Sequence, residues 1–298
     1  MMELLHSIER RMADIRKKVP ESVAGEFFVD HTCIDCDTCR QLAPAVFAEA
    51  SMYSYVHTQP RGADETRAAL RALLACPVGS IGTIHRADAK QVMDDFPIRI
   101  EGPVYYCGFS SSDSYGATSY FIQHPGGNWL IDSPRSVTHL MRRFEQMGGI
   151  RYIFLTHRDD VADAATFARR FGATRIIHRR DLSAQPDAEL VIDGTDPIEV
   201  GSDFKIIPTP GHSPGHCVLL LANRYLFTGD HVWWRADGRI LDAWRLGWRD
   251  SWEQQTASMQ RLLDETFEWV LPGHGGRICL PCNEMRRAVA SLVERMRA

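Results

Sequence analysis

His157, His212, Asp230 and His274 have the side-chain types and the surroundings of metal ligands. The stretch from Ile207 to His231 reads IPTPGHSPGHCVLLLANRYLFTGDH. It sets His212 in a Pro-Gly-His turn before an apolar run, Val218 to Ala222. A second run, Tyr225 to Phe227, closes on Gly229 and Asp230. Asn223 and Arg224 between the runs imply a hairpin that holds His212 and Asp230 at one end of a sheet. An imidazole and a carboxylate facing one cavity suit a first-row metal ion. Two further turns of the same kind also follow apolar runs: Leu155-Thr156-His157 and Pro272-Gly273-His274.

A second constellation is built of thiols. Cys33, Cys36 and Cys39 have two residues between each, and a distant Cys76 directly precedes Pro77. Three closely spaced cysteines wrap a short loop whose thiolates converge on a cuboidal cluster, and the remote Cys-Pro closes the fourth corner. Zinc ribbons instead pair two short knuckles, so a [4Fe–4S] cluster is expected here over zinc. Cys279-Leu280-Pro281-Cys282 offers a redox dithiol as one alternative and packing thiols as the other.

The elements that must position these groups alternate along the chain. A leading helix is expected within residues 1–25, on the helical spacing of Leu4, Leu5, Ile8, Met12, Ile15 and Val19. Residues 26–84 form a small cysteine-bearing domain with a strand from Met52 to Gln59 and a helix from Asp64 to Ala75. Residues 85–99 are a polar linker, and residues 100–298 a large domain. There the expected helices are Ser136–Met147, Val161–Phe171, Trp252–Thr266 and Asn283–Arg297. Strands and helices alternate in two sets, each opening with antiparallel hairpins, which implies two sheets sandwiched between helices, with loops along one edge. The run from His231 to Trp252 holds five tryptophans among arginines, suited to a lid over the cavity or to packing on the sandwich.

Residues 26–84 resemble a bacterial single-cluster ferredoxin, including the segments Ala43-Pro44-Ala45-Val46-Phe47 and Cys76-Pro77-Val78-Gly79-Ser80-Ile81. The order of turns over residues 100–298 resembles the metallo-β-lactamase-fold superfamily. Together these imply an α+β chain: a ferredoxin-like domain followed by an αββα sandwich. The superfamily's Pro-Gly-His, Gly-Asp and late Gly-His are matched by His212, Asp230 and His274, and Asp132 fits an early loop-supporting aspartate. Its Thr-His-x-His-x-Asp-His loop is altered here to Thr156-His157-Arg158-Asp159-Asp160-Val161-Ala162-Asp163-Ala164. With two extra residues in the loop, Asp163 takes the family Asp, Asp160 (or Asp159) replaces the second His, and Ala164 the last. The expected metal set is therefore His157, Asp160, Asp163, His212, Asp230 and His274, holding iron or zinc, one ion rather than two.

The leading expectation is an oxidoreductase that passes electrons from the cluster at Cys33, Cys36, Cys39 and Cys76 to non-haem iron in the cavity. Asp159 or Asp160 would supply protons to a small-molecule substrate. With no Gly-rich dinucleotide fingerprint after any strand, the reductant is expected to be a protein redox partner. The alternatives are a metal-dependent hydrolase of an ester, thioester, lactone or phosphodiester, and a non-catalytic protein with a degenerate site. A formal net charge of −4 argues against nucleic acid or an anionic membrane as partner. Charged Glu3, Glu9, Arg10 and Arg11 do not suit a signal peptide, so a cytoplasmic location is expected.

Overall fold

In the computed structural model, which describes residues 12–85, 87–245 and 250–298, the chain divides between Asp94 and Asp95 into two units. In the first, strand β1 (Phe27–Val29) pairs antiparallel with β4 (Ile81–Thr83), and β2 (Phe47–Glu49) with β3 (Ser54–Val56). A short helix, α1 (Thr38–Leu42), follows Asp35 and Asp37, both in left-handed backbone, which curls the Cys33–Cys39 loop. Helix α2 (Gly62–Ala75) carries Asp64 and Glu65 in its first turn, where carboxylates meet the positive helix end. Pro77 forces Cys76 out of helical backbone, so the helix ends by presenting that thiol.

The helix expected over residues 1–25 lies partly outside the described residues. From Met12 onward it is corrected. Ile15–Lys17 is a single 3-10 turn capped by Asp14, and Lys18 bridges Asp30 in strand fashion. Val19 precedes Pro20, which disfavours helical backbone, and its amide donates to Val29 O. The linker expected over 85–99 is also more ordered than its polarity suggested. Ala89–Asp95 is 3-10 helix with Val92 buried, and strand β5 (Ile98–Glu101) opens the second unit before residue 100.

That unit holds two large sheets. The first contains β5, β6 (Val104–Tyr106), β7 (Tyr120–Ile122), β8 (Trp129–Ile131), β9 (Tyr152–Phe154), β10 (Thr174–His178) and β11 (Leu190–Ile192), in the order β11-β10-β9-β8-β7-β6-β5. The second contains β12 (Ile198–Val200), β13 (Phe204–Pro208), β14 (Cys217–Leu221), β15 (Tyr225–Gly229), β18 (Trp269–Pro272) and β19 (Ile278–Cys279), in the order β12-β13-β14-β15-β18-β19. Along the chain between β15 and β18 lies a separate hairpin, β16 (Trp233–Arg235) with β17 (Ile240–Asp242).

Strand β14 shows why both faces of the second sheet are apolar. Cys217, Leu219 and Leu221 join Ile131, Phe154, Phe204 and Phe227 in the core between the sheets. The alternate residues Val218 and Leu220 pack instead with Met259, Met285, Val289 and Leu292. Those partners come from helices α5 (Trp252–Arg261) and α6 (Cys282–Arg297). A strand buried on both faces reads as a continuous apolar run rather than an alternation. Each such leucine contributes about 1.5–3 kcal/mol through burial. On the outer face of the first sheet, α3 (Thr138–Gln146) stacks Phe144 on Phe121 at 4.8 Å, and Phe167 of α4 (Ala164–Phe171) meets Phe144 at 5.9 Å. The result is an αββα sandwich.

The β14–β15 turn is centred one residue earlier than expected. Ala222 and Asn223 both have positive φ, 52° and 50°, and Arg224 N donates to Leu221 O. This is the tight hairpin turn whose twist matches the strands. In the tryptophan-rich segment, Trp233 is buried, Trp252 donates from Nε1 to Met296 O, and Trp244 stands largely exposed. Trp248 lies outside the described residues. Among the described residues, no helix is long and apolar enough to cross a membrane.

Candidate metal centre

The candidate ligands sit on loops at the ends of β9, β13, β15 and β18. Asp132, just past β8, takes left-handed backbone (φ 55°) and accepts from the Thr156 amide at 2.8 Å. The Thr156 hydroxyl donates to the same carboxylate at 3.0 Å, leaving its oxygen to accept from His157 Nδ1, also at 3.0 Å. This chain turns the His157 Nε2 lone pair toward the cavity, the way a partner on one ring nitrogen orients a metal-binding imidazole. Burial pushes the His157 imidazole down to about 3, against the pull of Asp230, so the ring is neutral at ordinary pH.

Three imidazoles converge on Asp230. Its Oδ2 lies 3.8 Å from His157 Nε2, 3.6 Å from His212 Nε2 and 3.7 Å from His274 Nε2. Ligands about 2.0–2.2 Å from a shared ion would stand only slightly closer to one another. Two overlapping donor sets result, each with its atoms within 4.8 Å: His157, His212 and Asp230, and Asp160, Asp230 and His274. Asp230 belongs to both. Asp159 borders the first set, its Oδ2 3.7 Å from His157 Nε2 and 4.0 Å from His212 Nε2, with its side chain 57% exposed at the mouth.

The structure therefore brings His157, His212, Asp230, His274 and Asp160 together and leaves Asp163 out. Asp163 Oδ2 accepts from the Ser136 amide at 2.6 Å. Helix α4 begins at Ala164, not Val161, so Asp163 is its N-cap residue and Asp160 lies in the preceding loop. The two aspartates thus share no helical face. Asp160, expected beside His157 in place of a lost histidine, joins His274 instead, and Asp159 takes the place near His157. The altered loop needs no two-residue expansion to supply both carboxylates.

The residues fit a bound cation. Among the described residues, His157 Nε2, Asp160 Oδ2 and Asp230 Oδ1 are buried polar atoms without a hydrogen-bond partner. Each such atom costs about 1–3 kcal/mol, more when charged. Burial, then the neighbouring Asp230, Asp132 and Asp159, hold the Asp160 carboxyl well above the usual range. Burial acts on Asp230 in the same sense, but His274, His157 and His212 outweigh it and draw that carboxyl down. A Cβ at Gly273 would meet Asp230 Oδ1 at 2.7 Å and Asp160 Oδ2 at 2.9 Å, so glycine there lets the two carboxylates share one space. Such crowding of acceptors beside the buried His157 ring is what a dication relieves.

Three neighbours were missed or undervalued in the sequence. Asp181, fully buried on the 3-10 turn Arg179–Ala184, accepts from the Arg158 amide, the Gly215 amide and the Ser213 hydroxyl. One carboxylate thereby ties the His157 loop to the His212 loop. Its only sequence signal was an aspartate just beyond a strand end. His216 and His231, close in sequence to ligand-bearing turns, are fully buried beside the ligands. The His216 ring lies 5.2 Å from His157 and 5.3 Å from His231. His178 instead hydrogen-bonds to Gly194 O and receives the Arg180 amide, a role confined to the loop after its strand.

In the N-terminal unit, Cys33, Cys36, Cys39 and Cys76 line one cavity with Val29, Ile34 and Pro77. Ser54 N donates to Cys33 Sγ at 3.4 Å, and Thr38 and Ser80 hydroxyls lie 3.5 Å from Cys36 Sγ and 3.4 Å from Cys76 Sγ. Burial pushes the Cys36 thiol up to about 11 and also raises Cys39. Four thiols lining one small cavity are what a thiolate-held cluster needs.

Residues 29–83 match the family model for the 4Fe-4S single cluster domain of ferredoxin I, and residues 113–274 match that for the metallo-beta-lactamase superfamily. The second match covers more than half of the chain, and the chain belongs to the metallo-beta-lactamase superfamily, with a single-cluster ferredoxin domain fused ahead of it. A hydroxyacylglutathione hydrolase of Acidiphilium cryptum (strain JF-5) is 27% identical over 135 residues, 44% of this chain and 54% of that relative. One from Rhizobium meliloti (strain 1021) is 28% identical over 160 residues, 52% of this chain and 60% of the relative. The chain thus spans little more than half the length of these curated relatives. The solved DIM-1 metallo-beta-lactamase exposed to ceftazidime superposes with a TM-score of 0.51 at 18% identity, covering 66% of this chain and 95% of that one. That likeness is one of fold.

Two outcomes are expected. His212→Ala should lower cavity metal by at least about tenfold while leaving cluster iron, sulfide and spectrum intact, as read by elemental analysis and paramagnetic resonance. Asp181→Asn replaces one accepting oxygen by an NH2 that meets at least one backbone amide donor, and should cost about 1–3 kcal/mol in urea unfolding.

Proposed function

We propose that the chain is a metal-dependent hydrolase of a small ester or thioester, its cavity held by His157, His212, Asp230, Asp160 and His274. The observation that carries this reading is the Asp230 carboxylate shared by two donor sets, each ringed by buried, neutral or unpartnered groups. A metal ion in such a set supplies a nucleophilic water near neutral pH and polarises the carbonyl to be attacked. The relatives named for hydroxyacylglutathione hydrolysis support a thioester as substrate class.

The remaining chemistry belongs to the chain's own residues. Asp132 and Thr156 fix the tautomer of His157. Asp159 stands half-open at the mouth, with its carboxyl raised above the ordinary range by burial. It is placed to take a proton from the attacking water and return it to the leaving group. Arg158, 46% exposed beside it, offers a guanidinium to an anionic substrate tail. Tyr115 sets its ring 6.3 Å from His274 and forms part of the rim.

A second reading rests on the fused ferredoxin domain, because hydrolysis moves no electrons. In that reading the chain is an oxidoreductase, drawing electrons from a protein partner through the domain that carries Cys33, Cys36, Cys39 and Cys76. The two readings part in one experiment. Anaerobically purified, metal-replete protein is offered a 2-hydroxyacyl-glutathione thioester, and free thiol is followed with the cluster reduced and oxidised. The hydrolase reading expects turnover in both states, and Asp159→Asn slowing it by about 100-fold with metal content unchanged. No thioester cleavage, together with reoxidation of the dithionite-reduced chain by oxygen that slows in His212→Ala, would favour the oxidoreductase.

A further inference from the structure

Cys39 is followed directly by Arg40, whose guanidinium is tied into the cysteine-bearing loop. Both residues lie on α1, and the Arg40 side chain is only 15% exposed. Its Nε donates to Asp37 Oδ1 at 2.8 Å, and its Nη1 to Asp35 Oδ1 at 2.5 Å. The same Nη1 donates to Ser54 Oγ at 2.6 Å, at the start of β3. Asp35 and Asp37 have φ of 57° and 67°, so one guanidinium fastens both left-handed residues to that strand. Their two carboxylates outweigh its single positive charge.

Ser54 is buried and touches two of the four thiols. Its amide donates to Cys33 Sγ at 3.4 Å. Its hydroxyl hydrogen-bonds to the Cys39 sulfur, and there opposes the rise that burial imposes on that thiol. A serine hydroxyl carries one proton and rotates to suit its neighbours. A guanidinium accepts nothing, so Ser54 Oγ must accept from Arg40, and its own proton is left for Cys39. A thiolate holding iron has no proton to give, so with a cluster bound Ser54 is the donor in that contact.

We propose that Arg40 orients the Ser54 hydroxyl toward Cys39, and that this hydrogen bond raises the reduction potential of the cluster. Ser54 touches a ligand sulfur, whereas Arg40 is a positioning residue that acts through it. When the cluster takes one electron, delivered by dithionite or a mediator dye, negative charge on its iron and sulfur grows. A donor aimed at a ligand sulfur stabilises the reduced state more than the oxidised one. No bond is made or broken, and the proton stays on Ser54 Oγ. The effect is independent of which reaction the C-terminal cavity performs.

The test is an anaerobic redox titration of the full, cluster-loaded chain, with the reduced cluster followed by paramagnetic resonance. Ser54→Ala keeps the amide that meets Cys33 and removes the hydroxyl. It should disfavour the reduced cluster by up to about tenfold, a fall of about 59 mV for one electron. Ser54→Thr and Ser54→Val, alike in volume, form a second pair: the first should keep the native potential and the second lose it. A double-mutant cycle with Arg40→Gln then tests the positioning role, because the charge change at Arg40 cancels between its two arms. Ser54→Ala should lower the potential less in the Arg40→Gln chain than in the native one. Unchanged potentials in Ser54→Ala and Ser54→Val, or loss of the cluster from both while Ser54→Thr retains it, overturn the tuning role. Equal shifts in the two Arg40 backgrounds overturn the assignment of Arg40.

Discussion

Asp230 carries the constraint around which the C-terminal unit is arranged. A carboxylate removed from water is stable only if it meets positive charge or several donors. Its Oδ2 faces the ring nitrogens of His157, His212 and His274, and burial holds His157 neutral. With Asp160 sharing the space beside Gly273, acceptors outnumber donors. Two sheets packed through a continuous apolar core keep these groups from moving apart, and a bound cation would relieve the imbalance. The stable sandwich and the frustrated edge are parts of one arrangement.

Anchors set well back from the ligands maintain that edge. Asp132 reaches the His157 ring through Thr156, and Asp181 binds the His157 and His212 loops to each other. Gly211 closes the second loop against α5: a Cβ there would meet the Gln255 backbone at 2.3 Å, at a φ of 142°. The cage in the N-terminal unit follows a parallel logic with softer donors. Left-handed residues curl one loop, and a proline ends a helix at the fourth thiol.

His157, His212, Asp230 and His274 were legible because each follows an apolar strand through a short turn with a fixed offset. The four cluster cysteines were legible for a similar reason: their spacing is a loop geometry. The loop after β9 was not, because it lacks hydrophobic periodicity, and a register slip there exchanges the roles of Asp159, Asp160 and Asp163. Only packing shows that α4 starts at Ala164, which sends Asp163 to the Ser136 amide. Asp181 escaped notice because its partners are backbone amides far away in sequence. Of the sandwich, the buried strands were plain, but the β16–β17 hairpin was hidden among tryptophans that suited either a lid or a packed surface. Helical spacing near Met12 was misleading because Pro20 and pairing with β1 outweigh local periodicity.

The most direct measurement compares urea unfolding of the C-terminal unit's signal in protein stripped of cavity metal and in the same protein reloaded, with the cluster spectrum held constant. Cations bound by the native edge alone must stabilise it by mass action. A reloaded protein whose midpoint rises, in proportion to the free metal concentration's logarithm, is the predicted result. A midpoint that does not move with metal would contradict the view that the Asp230 edge depends on a bound cation.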